Sequence, residues 1–105
     1  MSNVRLLDDG SFEEAVTTTD HPVMVAFVSP SCPHCHQMAP TIDAIARETA
    51  GRAVVAKVDV TRSPATTKVA GVRQLPTFVF FRQGQEVARK TGSGAAPAAL
   101  RGLLR

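Results

Sequence analysis

The two cysteines of the chain, Cys32 and Cys35, stand three positions apart in the run Ser29-Pro-Ser-Cys-Pro-His-Cys-His36. A pair this close cannot staple distant parts of a chain, so it is no disulfide framework. Its spacing suits thiol–disulfide exchange or metal binding instead. The run joins a strand-like segment, Val23 to Val28, to one with helical apolar spacing at Met38, Ile42, Ile45, Ala46 and Thr49. A helix N-terminus carries about half a positive charge and unpaired amide donors. Both stabilise a thiolate at Cys32, which the turn leaves exposed. Cys35 falls about one turn into the helix, on the same side and deeper. Only a thiolate attacks, and a mixed disulfide formed at Cys32 can then be resolved by Cys35. His34, between the two, can donate toward Cys32 or carry charge beside it, which favours the thiolate.

Other chemistries compete for the same residues. Cys32-Pro-His-Cys35-His36 is literally the C-x-x-C-H pattern of c-type haem attachment. Haem also needs a distal ligand and a large apolar pocket, and the apolar residues here are used up by strands. Zinc or an iron–sulfur centre could recruit the cysteines with His34, His36 or His21, but a closed zinc site wants a second spaced pair. Within one chain there is none, so no metal is expected. Five Phe with no Trp or Tyr, and a net charge of +3 spread over scattered Arg residues, offer no footprint for nucleic acid. The longest apolar stretches, Val23 to Val28 and Phe78 to Phe81, are far short of the ~20 residues that span a bilayer. No signal-like N-terminal segment is seen, and the expectation is a cytoplasmic protein.

The positioning elements follow from pattern. A length of 105 residues predicts one domain over 1–105. Val4 to Leu7 suits a first strand. Ser11-Phe-Glu-Glu14 reads as a capping box opening a helix. Val23 to Val28 is continuously apolar and β-branched, as in a strand covered on both faces. The helix after Cys32 contains Pro40, expected to kink it, and ends at Gly51. Val54 to Val60 alternates, with Val54, Ala56, Val58 and Val60 on one face and Val55, Lys57 and Asp59 on the other. Ser63 is expected to cap a helix with Pro64 at its first position, stopping at Gly71. Thr77 to Phe81 is a strand, Gln83-Gly84 a turn and Glu86 to Thr91 a polar strand, and in the last segment, Ala95 to Arg105, Pro97 opens a final helix whose Leu100, Leu103 and Leu104 face the core. The predicted order is β-α-β-α-β-α-β-β-α, an α/β domain that closes with an antiparallel hairpin.

With these anchors in register, the chain resembles the thioredoxin family over nearly its whole length. Val23 to Phe27 is similar to the family's central strand, Cys32-Pro-His-Cys35 to its redox site, and Met38-Ala-Pro40 to its kinked second helix. Lys57-Val-Asp59, Gly71-Val-Arg73, Gly84 and Gly92 fall where the family has them. Leu75-Pro76-Thr77 matches the loop whose proline is cis in that family. Departures are also clear. Ser31 stands where the family has Trp, and Pro33-His34 where it has Gly-Pro, as in periplasmic disulfide oxidases. Ala26 replaces a buried Asp thought to help deprotonate the second cysteine, a role left vacant or passed to water or Lys57.

The resemblance implies a thioredoxin fold, with a central mixed sheet flanked by helices, and a protein disulfide oxidoreductase. In it Cys32 attacks, Cys35 resolves, His34 and Pro33 tune the couple, and Leu75 and Pro76, with Gln74 beside them, present the substrate. His34 between the cysteines, a departure from the family pattern, leads to the expectation of a couple more oxidising than a typical thioredoxin's. No cofactor is required, because the electrons reside on the two sulfurs. Expected partners are disulfide-containing proteins and a flavin-dependent thioredoxin reductase, with the chain a monomer. The alternative is a non-catalytic interaction module that keeps the fold with a diverged surface at Ser31 and Gln74.

Overall fold

Residues 3–105 are described by a computed structural model. The most apolar run forms its centre. Strand β2 (Val23–Val28) is buried along Val23 to Phe27. It lies between β3 (Val54–Asp59), parallel to it, and β4 (Thr77–Arg82), antiparallel to it. Strand β1 (Val4–Leu7) lies on the far side of β3, in parallel. Strand β5 (Gln85–Thr91) closes the other edge beside β4. The sheet order is β1-β3-β2-β4-β5, a mixed sheet flanked by helices as the resemblance implied.

Alternate residues of the strands feed two cores. Met24, Ala26, Val55, Phe78 and Phe80 face Ile42 and Ile45 of α2 (Pro33–Glu48) and Leu100 of α4 (Pro97–Gly102). Val23, Val25, Phe27, Ala56, Val58 and Val79 face Ala15 and Val16 of α1 (Phe12–Thr17) and Ala70 of α3 (Pro64–Ala70). The alternation expected of β3 therefore holds, since its two faces enter different cores. Phe12 pins α1 by an edge contact with Phe81 at 5.7 Å. Among the described residues no helix is long and apolar enough to cross a membrane.

The Gln83-Gly84 turn has positive φ at both positions, 54° and 81°. Two such residues match the twist of the strands they join, the usual solution for a two-residue hairpin. A Cβ at Gly84 would also meet Thr17 Cγ2 at 3.0 Å, so space and backbone both demand glycine there.

Three local expectations are corrected. The Ser11 hydroxyl caps no helical amide: it accepts from the Asp8 amide at 3.0 Å and donates to the Asp8 carboxylate, closing a turn before α1. Ser63 does not cap α3 either, and its buried hydroxyl has no partner among the described residues. Asp9, from the loop after β1, does that work. Its carboxylate accepts from the Thr66 amide at 2.8 Å, the Thr66 hydroxyl at 2.7 Å and the Ala65 amide at 3.3 Å. Helix α2 ends at Glu48, before Gly51, because Thr49 takes the cap and turns its hydroxyl back to the Ile45 carbonyl. Helix α4 opens at Pro97 as expected and runs six residues to Gly102, with a 3-10 turn at Gly92–Gly94 ahead of it.

The topology brings chemistry to one end of the sheet. Val28 at the end of β2 pairs with Asp59 at the end of β3, and Phe27 pairs with Thr77 at the start of β4. The segments that leave β2, leave β3 and enter β4 therefore share one edge, the end where ligand and active sites of α/β sheets gather.

Two stability measurements check the capping. The Thr66 hydrogen bonds hold the Asp9 carboxyl below its usual range. Its contribution is present above the unfolded carboxyl's range and is lost as pH falls through the depressed one. Asp9→Ala therefore lowers the unfolding midpoint near neutral pH, and the deficit closes on acidification; a deficit independent of pH would contradict the assignment. Ser63→Ala removes a buried, unpartnered hydroxyl and is expected to stabilise by about 1 kcal/mol in urea titration.

Candidate active site

Strand β2 hands the chain to Ser29, and a tight turn then aims the first cysteine at the helix it opens. The Cys32 amide donates to the Ser29 carbonyl at 3.2 Å, and the Ser31 amide to the Ser29 hydroxyl at 3.2 Å. Cys32 is the N-cap of α2 and Pro33 its first residue. A proline at that position costs nothing, because its missing N–H would have no helical acceptor. N-caps are ordinarily Ser, Thr, Asp or Asn, whose side-chain oxygen accepts a free first-turn amide. Here the acceptor is sulfur: the Cys35 amide donates to Cys32 Sγ at 3.2 Å. An amide donor and the positive end of a 16-residue helix thus face the same sulfur, the arrangement that anions seek.

The two thiols differ. Cys32 is half-buried, whereas Cys35 is 6% exposed, and neither is engaged in a disulfide. Burial pushes the Cys35 thiol up to about 11, helped by its hydrogen bond to Cys32 and by charge on that neighbour. The Ser29 backbone opposes the shift but does not overcome it.

His34 is exposed on the first turn of α2, between the cysteines. His36, read from sequence as one of several competing ligands, has a structural bond instead. Its Nε2 lies 2.6 Å from the Pro30 carbonyl. A carbonyl only accepts, so the ring donates its Nε2 proton and ties the pre-helix loop to the helix. Nothing in the sequence signals that bond, because the turn that brings residues six apart together is not a periodic feature.

A cavity of about 470 Å³ lies beside Cys35, lined among others by Val28, Lys57, Asp59, Arg62 and Ser63. Lys57 is half-buried, opposite Ala26 on one side and Leu6 on the other. The Asp59 carboxylate is turned to the Thr61 amide at 2.9 Å and the Thr61 hydroxyl at 2.7 Å. Gln74, Leu75 and Pro76 do not line this cavity; they enter β4 at the same end of the sheet. The Leu75–Pro76 peptide is cis. Gln74 is exposed and its carbonyl accepts from the Thr77 hydroxyl, Leu75 packs against the Phe27 side of the sheet, and Pro76 is buried. Among the described residues, no three His, Cys, Asp or Glu side chains are grouped to hold a metal ion.

An N-terminal cap made of sulfur, a buried partner one turn on and a cis-proline loop at the same sheet end can be set beside known proteins. The family model described as Thioredoxin matches residues 3–104. A thioredoxin of Haemophilus influenzae is 37% identical over 93 residues, covering 89% of this chain and 87% of its own length. A chloroplastic M-type thioredoxin of Pisum sativum is 35% identical over 99 residues, covering 94% of this chain and 56% of its own. A thioredoxin of Rhodospirillum rubrum is 36% identical over 90 residues, covering 86% of each. With the mixed five-stranded sheet already in place, these likenesses settle kinship: the chain belongs to the thioredoxin family.

Proposed function

We propose that the chain is a protein thiol–disulfide oxidoreductase working through a Cys32–Cys35 dithiol/disulfide couple. The observation that carries the reading is the hydrogen bond from the Cys35 amide to the Cys32 sulfur at the mouth of α2. Family membership supports thiol–disulfide exchange in general.

The Cys32 thiolate attacks one sulfur of a substrate disulfide. A Cys32–substrate bond forms and the other substrate sulfur leaves as a thiolate, which takes up a proton. Cys35, having given up its proton, attacks Cys32 Sγ and the mixed disulfide breaks, releasing the second substrate thiol. Two electrons pass to the substrate and remain balanced by the Cys32–Cys35 disulfide. The high position of the Cys35 thiol makes its deprotonation the slow part of resolution. Lys57, or water beside it, takes the place of the carboxyl that the family has where this chain has Ala26.

Pro33 and His34 tune the couple, and His34 favours the thiolate of Cys32 and so the dithiol form. The chain is thereby more oxidising than a typical thioredoxin. Gln74, Leu75 and Pro76 receive the substrate, with the Leu75 backbone pairing to an extended segment of it. Disulfide-containing proteins are the substrates, a flavin-dependent reductase is the electron donor, and the working form is a cytoplasmic monomer of one domain.

Three measurements check this. With dithiothreitol as electron source, the wild-type chain accelerates insulin-disulfide reduction, Cys32→Ser abolishes the effect, and Cys35→Ser leaves a covalent mixed disulfide visible by mass; activity surviving loss of Cys32 would sink the reading. Equilibrium with glutathione gives a potential about 50 mV above the roughly −270 mV of thioredoxin, and His34→Ala brings it down. A wild-type value no higher than thioredoxin's would remove the oxidising character. Finally, decay of the wild-type mixed disulfide in rapid-quench experiments accelerates about tenfold per pH unit below the Cys35 transition. The linked stability runs the opposite way: the folded dithiol holds its proton more tightly than the unfolded chain, so its stability declines as pH rises from 9.0 toward about 11. A flat resolution rate would contradict the proton-limited step.

A further inference from the structure

Helix α3 ends at Gly71, whose φ of 67° turns the chain into the segment that leads to Gln74, Leu75 and Pro76. Arg89 of β5 reaches across to this point. One guanidinium nitrogen donates to the Ala70 carbonyl at 2.6 Å and another to the Gly71 carbonyl at 3.4 Å. The fork is held in place by Glu86, whose carboxylate accepts from Nε at 2.9 Å and from Nη2 at 2.8 Å. The last carbonyls of a helix have no helical donors of their own, and a cation there complements the helix's negative end. At the far end of the segment, the Thr77 hydroxyl donates to the Gln74 carbonyl. The chain from Val72 to Pro76 is therefore tied at its entry by Arg89 and at its exit by Thr77. Val72 and Leu75 rest on the apolar face between them, while Gln74 stays exposed.

We propose that Arg89, locked by Glu86, is a positioning residue for the Gln74–Pro76 loop, governing how well that loop receives an extended protein substrate. The inference rests on the oxidoreductase reading given above. Arg89 touches neither sulfur, so its effect falls on binding a polypeptide and spares the exchange chemistry. The planar fork matters because Nε and Nη2 together hold the carboxylate in a two-point grip while Nη1 and Nη2 reach the two helix-end carbonyls, an arrangement that lysine's single ammonium does not reproduce.

The test compares the wild-type chain with Arg89→Lys and Glu86→Gln, each verified as folded by its thermal transition. Insulin and a small aromatic disulfide serve as substrates, and amide hydrogen exchange follows residues 72–75. KM for insulin is expected to rise about fivefold in Arg89→Lys and by less in Glu86→Gln. The kcat for insulin, the glutathione-equilibrium potential and the rate with the small disulfide stay unchanged, while exchange at 72–75 quickens. Unchanged KM in both variants, or equal losses on insulin and the small disulfide, overturns the positioning role. A wild-type chain inert toward insulin overturns the oxidoreductase reading itself, and with it the substrate role of the loop.

Discussion

At the start of α2 a sulfur occupies the place where helices ordinarily hold an oxygen. The consequence is electrostatic as well as geometric. Amides of the first helical turn need acceptors, and the helix presents its positive end there. Cys32 answers that need at 3.2 Å, and the same bond brings Cys35, the donor's own residue, alongside it. One hydrogen bond thus gives the first sulfur an amide donor and holds the second residue beside it. The rest of the molecule serves to aim this helix end.

That aiming is done by the sheet. Strand β2 can lie buried in the middle because all six of its residues are apolar, and its end delivers Ser29 to the turn before α2. Ala26 keeps the strand apolar where the family carries a carboxyl. Lys57 across the ladder consequently borders a cavity beside Cys35, with no carboxylate opposite it in the neighbouring strand. The buried thiol is left with burial dominating its proton affinity. Stability of a tightly packed centre and ease of deprotonating Cys35 are in this sense opposed, and the chain has settled on packing.

The parts legible in the sequence were those written locally. The continuous apolar run of β2, the alternation of Val54 to Val60, the Gln83-Gly84 turn and the Cys-x-x-Cys pair at a strand-to-helix junction each depend on neighbours a few residues away. What escaped were bonds made across the fold. Ser63 looked like a cap because it precedes Pro64, yet a carboxylate from Asp9, 57 residues before Thr66, fills that position. Ser11 and Glu14 matched a capping box, but Asp8 captured the serine first. His36 was read through its nearness to the cysteines, whereas its ring serves the Pro30 carbonyl. Arg89 carried no signal, since its value lies in carbonyls 18 and 19 residues away. Local patterns name the groups that want partners; only tertiary structure decides which partner arrives.

The central claim is that the cap geometry makes Cys32 and Cys35 a two-electron couple within one chain. Mild oxidation of the reduced protein with one equivalent of a dithiol oxidant, followed by thiol alkylation and intact-mass measurement, tests it directly. The account predicts a monomer lighter by two hydrogens with both thiols lost together. Stepwise loss of single thiols, or dimers joined through Cys32, would contradict it.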